Sequence, residues 1–186
     1  MKIRGFRDTI DWYDKNAEQY NAALNAVIPT DSINWFISYL PTSPKILEVG
    51  CAAGRESKVF LENGVNVTGI DLSKKLLKIA KRNNPSAKYI EGNFLDLPFE
   101  NEEFDGIWSH ASLVHLETLD EVERAFSEFK RVLKPGGFLY IYVKEQTGKD
   151  ETAIVTDKLS KHNRFFRYYR PEKLKTLPPT ICHFRG

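Results

Sequence analysis

The sequence predicts an α/β domain on a mostly parallel sheet, and three observations carry that prediction. Short apolar strands alternate with amphipathic helical stretches between Lys45 and Val143, and such βαβ succession builds parallel sheets with right-handed crossovers. The first strand closes on an acid and a glycine-framed turn, Lys-Ile-Leu-Glu-Val-Gly-Cys-Ala-Ala-Gly from Lys45 to Gly54. The strand ends that follow are polar, at Asp71, at Gly92 to Asp96 and at Ser109-His110, and ligands of open parallel sheets bind beyond those carboxyl ends.

The 186 residues suit one domain with a sizeable core. The formal net charge of +2 indicates no polyanion partner, so nucleic acid is not expected. No apolar run approaches the ~20 residues of a membrane span, and the charged stretch Met1 to Trp12 lacks the apolar core of a signal peptide. Cys51 and Cys182, far apart in the chain, form neither a disulfide framework nor a metal cluster, which points to a reduced cytoplasmic setting.

Trp12, Tyr13, Ala17, Tyr20, Ala23, Leu24 and Val27 recur at helical spacing, predicting a helix over Asp11 to Val27 that Pro29 stops. It either packs its aromatics on the core or acts as a lid that brings Tyr13 or Tyr20 to a ligand. Asp31 or Ser32 caps a second helix through Trp35, Phe36 and Tyr39, ended by Pro41 to Pro44. Ile46, Leu47 and Val49 suit a strand buried on both faces, and a helix runs from Arg55 to Asn63, stopped by Asn63-Gly64. Strand Asn66 to Ile70, helix Ser73 to Arg82 and strand Lys88 to Glu91 continue the pattern. Phe104 to Ser109 is the fourth strand and Leu119 to Leu133 a long helix whose apolar stripe covers the sheet. The turn Lys134-Pro135-Gly136-Gly137 leads into the fifth strand, Phe138 to Val143. Beyond it the pattern weakens: a polar connection to about Lys161, the run Phe165 to Arg170, a short helix over Pro171 to Leu177, and after Pro178-Pro179 room for one short strand at most.

Asp71 lies about twenty positions past the glycine turn, where a carboxylate accepts both hydroxyl protons of a ribose; alternatively it caps the helix that follows. A nicotinamide dinucleotide would call for G-x-G-x-x-G, and Ala52 and Arg55 stand at the second and third glycine positions counted from Gly50. The pattern present instead, Glu48-x-Gly50-x-x-x-Gly54, resembles motif I of the class I S-adenosylmethionine-dependent methyltransferases. The likeness continues in order. Gly69-Ile70-Asp71-Leu72-Ser73 resembles that family's acidic loop and Gly92 to Phe99 its adenine loop. Phe104-Asp105-Gly106-Ile107-Trp108-Ser109 resembles its fourth strand, and Leu133-Lys134-Pro135-Gly136-Gly137 the turn before its fifth.

The resemblance implies a Rossmann-like three-layer sandwich with C-terminal strands truncated or missing. It divides residues 1–186, one domain, into cap helices (1–40), a cofactor-binding core (45–143) and a shortened C-terminal segment (144–186). It implies S-adenosyl-L-methionine as cofactor, with S-adenosyl-L-homocysteine as product. Gly50, Cys51, Ala52 and Gly54 would shape the wall around the methionine part, and Glu48 would orient the loop and the ammonium group. Asp71 would bind the ribose hydroxyls. Leu72, Phe94 and Asn93 would meet the adenine, Asn93 standing where the family usually has Asp. Ser109 and His110 would line the cofactor and acceptor, and Tyr13 and Tyr20 would close over the cofactor.

Methyl transfer from a sulfonium needs chiefly alignment and exclusion of water. A neutral nucleophile also needs a base, for which His110 and His115 are the candidates, each with a bland alternative as a loop or packed polar group. Cys51 reads as structural. The function expected is methyl transfer to an O, N, S or C nucleophile of an unidentified small-molecule acceptor, with no metal. The alternative is an S-adenosylmethionine-binding protein without transferase activity, because the stretch after Pro179 is too short for the two further strands with which the family usually ends its sheet. The fifth strand would then keep an exposed edge, and the chain would be a monomer or a homodimer through it. In the family it resembles, the acceptor is usually chosen by segments that here are Met1 to Val27, His110 to Thr118 and Lys144 to Phe166; their tyrosines and Trp12, with Arg164, Arg167 and Arg170, suit an aromatic or anionic group or are ordinary surface.

Overall fold

Five apolar strands form the centre of the computed structural model, which describes residues 6–24, 28–156, 163–174 and 180–185. They are β1 (Lys45–Val49), β2 (Asn66–Asp71), β3 (Lys88–Glu91), β4 (Phe104–His110) and β5 (Leu133–Glu145). All pair in parallel, in the order β3-β2-β1-β4-β5. Strand order reverses between β1 and β4, and in open parallel sheets the carboxyl ends flanking such a switch are where ligands bind.

The strands are buried on both faces, which is why their sequences read as apolar runs rather than alternations. On one face Ile46, Val67, Trp108 and Tyr140 pack against α3 (Thr30–Ile37) and α4 (Arg55–Glu62) through Ile33, Phe36 and Phe60. On the same face α5 (Lys74–Asn83) sets Leu77 and Ala80 against Cys51 and Tyr89. On the other face Leu47, Val49, Ile107, Leu139 and Ile141 meet the stripe of α6 (Leu119–Val132): Val122, Ala125, Phe126, Phe129 and Val132. A capping box starts α6, with the Thr118 hydroxyl accepting from the Glu121 amide and the Glu121 carboxylate from the Thr118 amide. Such a cap contributes about 1 kcal/mol.

Several boundaries differ from the sequence expectation. The single N-terminal helix is two, α1 (Phe6–Lys15) and α2 (Ala17–Leu24), and residues 25–27 lie outside the described residues. The two helices meet at Asn16, whose side-chain amide and backbone amide both donate to the Trp12 carbonyl, at 2.8 and 3.0 Å. Helix α3 starts at Thr30, placing Asp31 in the first turn, where its charge favours the dipole without a side-chain cap. The turn Lys134 to Gly137 lies inside β5 as an irregularity, since the ladder runs from Phe104 to Gly106 on β4 and from Leu133 to Phe138 on β5.

The C-terminal segment carries more structure than its sequence suggests. β6 (Thr152–Thr156) and β7 (Asn163–Tyr169) pair antiparallel, and β7 touches the end of β5 at Lys144 and Glu145. Arg164 and Arg167 lie on opposite faces of β7 and both are buried, which hides the apolar alternation of a strand. The short helix is α7 (Pro171–Leu174), and the rest of the stretch expected to be helical, residues 175–177, lies outside the described residues. The one short strand expected near the end is β8 (Thr180–Arg185), parallel to β5 from Leu139 to Lys144. The β5 edge expected to be exposed is therefore occupied by β8. Among the described residues no helix is long and apolar enough to cross a membrane.

Candidate active site

The turn after β1 is shaped by three left-handed residues, Gly50 (φ 68°), Ala52 (φ 46°) and Gly54 (φ 72°). Gly50 and Cys51 both donate their amides to the Ile70 carbonyl, at 2.9 and 3.2 Å, which seats the turn on the end of β2. A Cβ on Gly50 would meet Ser112 Cβ at 2.6 Å, so the backbone there must be bare for the segment after β4 to close down. Ala52 carries a side chain in the left-handed region, which costs roughly 1–2 kcal/mol.

Asp71 ties this turn to its neighbour. One carboxylate oxygen accepts from the Ala52 amide at 2.9 Å, the other from the Ser73 amide at 2.8 Å. Burial raises its pKa, opposed by those amide donors. Each oxygen has a second lone pair, so the carboxylate can be structural and still accept from a ligand. The cap of α5 is the Ser73 hydroxyl, which accepts from the Leu76 amide at 3.2 Å, so the helix-cap reading of Asp71 gives way to a brace between the two loops.

Glu48 is buried beneath the turn. One of its oxygens accepts from the Ser57 hydroxyl, while Oε1 is buried without a hydrogen-bond partner. Burial first, and the neighbouring Glu56 charge second, push its pKa well up. Asn84 donates to the Gly54 carbonyl at 2.8 Å and lies 3.2 Å from the Tyr89 hydroxyl, bracing the turn from behind. Tyr89 lies flat there because Gly69 is bare: a Cβ would meet the ring at 2.7 Å. Cys51 packs on Leu77, Ala80 and Tyr89, and burial raises its thiol pKa, consistent with a structural role.

The other expected site residues fall into distinct groups. Leu72 is half-buried beside Asp71. The Asn93 side-chain oxygen accepts from the Leu95 amide at 3.0 Å, and Phe94 is packed into the core against Phe129. Ser109 is fully buried, 2.6 Å from the Ser112 hydroxyl. His110 projects to the opposite face of β4, stacked 4.3 Å from Tyr142, with Nδ1 3.4 Å from Glu56. Buried Glu56 also accepts from Trp108 Nε1 at 3.1 Å and from Arg55 at 2.5 Å.

The N-terminal pair of helices lies across α5. Asp14 accepts from the Ser73 hydroxyl at 2.5 Å and the Lys75 amide at 3.1 Å, and Glu18 takes two bonds from Arg82. Tyr13 and Tyr20 meet edge to face, 4.8 Å between centroids. Against them stand His115, from the 3₁₀ turn Leu113–His115, and Arg164 from β7. Burial lowers the His115 pKa to about 4, opposed by its bond to the Phe165 carbonyl. Sequence reasoning missed Ser57, Glu56, Asn84, Tyr89, Asp14 and Ser112 as supports. Glu56 in a first helical turn reads as a surface acid, and nothing near Asn84 signals a distant carbonyl. A groove of about 1010 Å³ lies elsewhere, along α6, β5 and β7, lined by Leu119, Val122, Phe126, Leu139, Tyr169 and Leu174 among others.

Comparison with known proteins follows the same lines. The family model described as a methyltransferase domain matches residues 47–141, about half of the chain. A malonyl-[acyl-carrier protein] O-methyltransferase of Enterobacter lignolyticus is 32% identical over 95 residues, 51% of this chain and 37% of the relative. An uncharacterised methyltransferase of Synechocystis is 39% identical over 93 residues, 50% of this chain and 43% of the relative. The matches thus span less than half the length of these relatives. Among solved structures, one described as a SAM-dependent methyltransferase from Methanosarcina mazei superposes with a TM-score of 0.67 at 24% identity, covering 79% of this chain and 80% of that one. The glycine turn, the paired acids and the strand order belong to residues inside the matched span, and the chain is a member of the methyltransferase domain family.

Proposed function

We propose that the protein is an S-adenosylmethionine-dependent methyltransferase acting on a small-molecule acceptor. The observation that carries this reading is the pair of carboxylates flanking the left-handed turn at the β1/β4 switch. Glu48 keeps one buried oxygen without a partner, and Asp71 joins the turn to the start of α5. A turn flanked by two acids, with the amides of Gly50, Cys51, Ala52 and Gly54 already bonded within the protein, fits a cationic nucleoside better than a pyrophosphate. Glu48 would face the ammonium side, Gly50, Cys51, Ala52 and Gly54 the methionine chain, Asp71 the ribose, and Leu72 and Asn93 the adenine. Phe94 and Ser109 would act from beneath, as packing. Tyr13 and Tyr20 would close the site from above.

When bound, S-adenosylmethionine would supply an electrophilic methyl group for in-line attack by the acceptor nucleophile, the sulfur–methyl bond breaking as S-adenosylhomocysteine leaves with the electron pair. The chain's own contribution is alignment and the exclusion of water by the cap. A neutral His115 with a pKa near 4 is a poor base at neutral pH, so an acceptor that is already anionic, or that loses its proton to solvent, suits the site best. Calorimetric titration of the full chain with S-adenosylhomocysteine tests the reading. Binding is expected, weakened at least tenfold in Asp71→Ala. Absence of any heat or thermal shift with either nucleoside would overturn it.

A further inference from the structure

Tyr13 is held by two residues that come from the far half of the chain. Phe165 offers a carbonyl 3.0 Å from His115 Nδ1. A carbonyl only accepts, so the proton of the neutral ring sits on Nδ1 and Nε2 presents a lone pair. That lone pair lies 3.4 Å from the Tyr13 hydroxyl. Arg164 donates to the same hydroxyl oxygen at 2.5 Å, and Tyr20 hydrogen-bonds it from within the cap. Arg164 can only donate, so the Tyr13 proton is free for an acceptor, which His115 Nε2 provides in this tautomer and the Tyr20 hydroxyl oxygen can also provide. The guanidinium of Arg164 also lies over the rings of Tyr13, Tyr20 and Phe166, at 5.7, 6.0 and 5.3 Å.

These bonds join the N-terminal helices to the C-terminal half of the chain. On the α5 side the cap is tied by Asp14 and Glu18. On the other side, the bonds of Tyr13 to the 3₁₀ turn and to β7 complete the span over the crevice. Tyr13 is also close enough to Asp71 to feel its charge. We infer that His115 and Arg164 are positioning residues, which act through Tyr13 to hold the N-terminal cap closed and so couple the β6–β7 hairpin to the cofactor crevice. The consequence for cofactor affinity rests on the function proposed above, while the latch itself does not.

The charged and titratable groups around His115 are Arg164 from β7, Lys144 from β5, and Tyr13 and Tyr20 from the cap. Protonating Nε2 would convert its lone pair into a donor facing a hydroxyl already held by Arg164, and would add a third positive charge beside Arg164 and Lys144. The latch should therefore release in acid. In His115→Gln the side-chain amide can both donate and accept without titrating.

Hydrogen exchange on the ligand-free chain tests the latch directly. In His115→Leu, protection of α1 and α2 is expected to fall about tenfold while that of β1 and β4 holds, and His115→Gln should restore it. In wild type, the same two helices should lose protection selectively between pH 7 and pH 4.5, whereas His115→Gln should not. This pH comparison decides the matter if His115→Leu loosens the whole fold. Affinity for S-adenosylhomocysteine should fall roughly fivefold or more in Tyr13→Phe and in His115→Leu, with little further loss in the double variant. Unchanged cap protection in His115→Leu, or additive losses in the double variant, would overturn the inference. A wild-type chain that shows the exchange pattern yet binds no nucleoside would overturn the proposed function and leave the latch standing.

Discussion

Around the turn after β1 the contacts join residues close in sequence and run largely through the backbone, as where Ala52 meets Asp71, 19 positions away. Around Tyr13 they run through side chains across 102 positions to His115 and 151 to Arg164. The first region needs only two strands side by side and a few residues free to adopt positive φ. The second needs the cap, the segment after β4 and the β6–β7 hairpin in place together. A cofactor crevice built the first way can be shared by many relatives, while the second region is free to vary with the acceptor.

The comparison can be broken at the turn first, where the largest effect is expected. Gly50→Ala forces a Cβ into a left-handed position and onto Ser112 at 2.6 Å. Strain of roughly 1–2 kcal/mol plus overpacking of about 1–3 kcal/mol should cost about 2–5 kcal/mol in urea unfolding. A loss below about 1 kcal/mol would show the turn to be far more yielding than its backbone contacts imply.

The next effect belongs to the Tyr13 region and has a sign fixed by linkage. Folded His115 resists protonation down to about pH 4, whereas the unfolded chain takes that proton near pH 6.5. Between those values the unfolded state binds more protons, so this contribution is whole above about 6.5 and is lost as pH falls toward 4. It should reach on the order of 2–3 kcal/mol. The measurement is the difference in unfolding free energy between wild type and His115→Gln at pH 7.5 and pH 4.5, which removes the carboxylates common to both. Parallel curves would mean that His115 is not held neutral by burial.

The smallest effect returns to the turn. Ala52→Gly should stabilise the fold by about 0.5–1 kcal/mol, because glycine relieves the strain at φ 46° and gives part of the gain back as chain entropy. If thermal unfolding shows a loss instead, the Ala52 methyl contributes packing that outweighs its strain.

Much of the first region was legible in the sequence because its signals are local. Glycines at positions 50 and 54 announced positive φ, the apolar run Ile46 to Val49 a strand buried on both faces, and Asp71-Leu72-Ser73 a strand end passing into a cap. The strands β1 to β4 appear within a residue of their expected ends. The hairpin of β6 and β7 was not legible, because Arg164 and Arg167, on opposite faces of β7, are buried where sequence patterning expects apolar residues. They are tolerated there by partners that no local rule reveals: the Tyr13 hydroxyl for one, the Leu116 and Glu117 carbonyls for the other.

By itself, then, the sequence determined the parallel α/β core, the crevice at the end of β1 and the kind of ligand its acids suit. Only the tertiary structure decided that His110 points away with Glu56 while His115 turns toward Tyr13, and that Asp71 serves two loops at once. The physical reason is range. Backbone conformation and strand burial follow from neighbours along the chain, but the tautomer of a histidine and the partner of a buried arginine depend on groups that only folding brings within 3.5 Å.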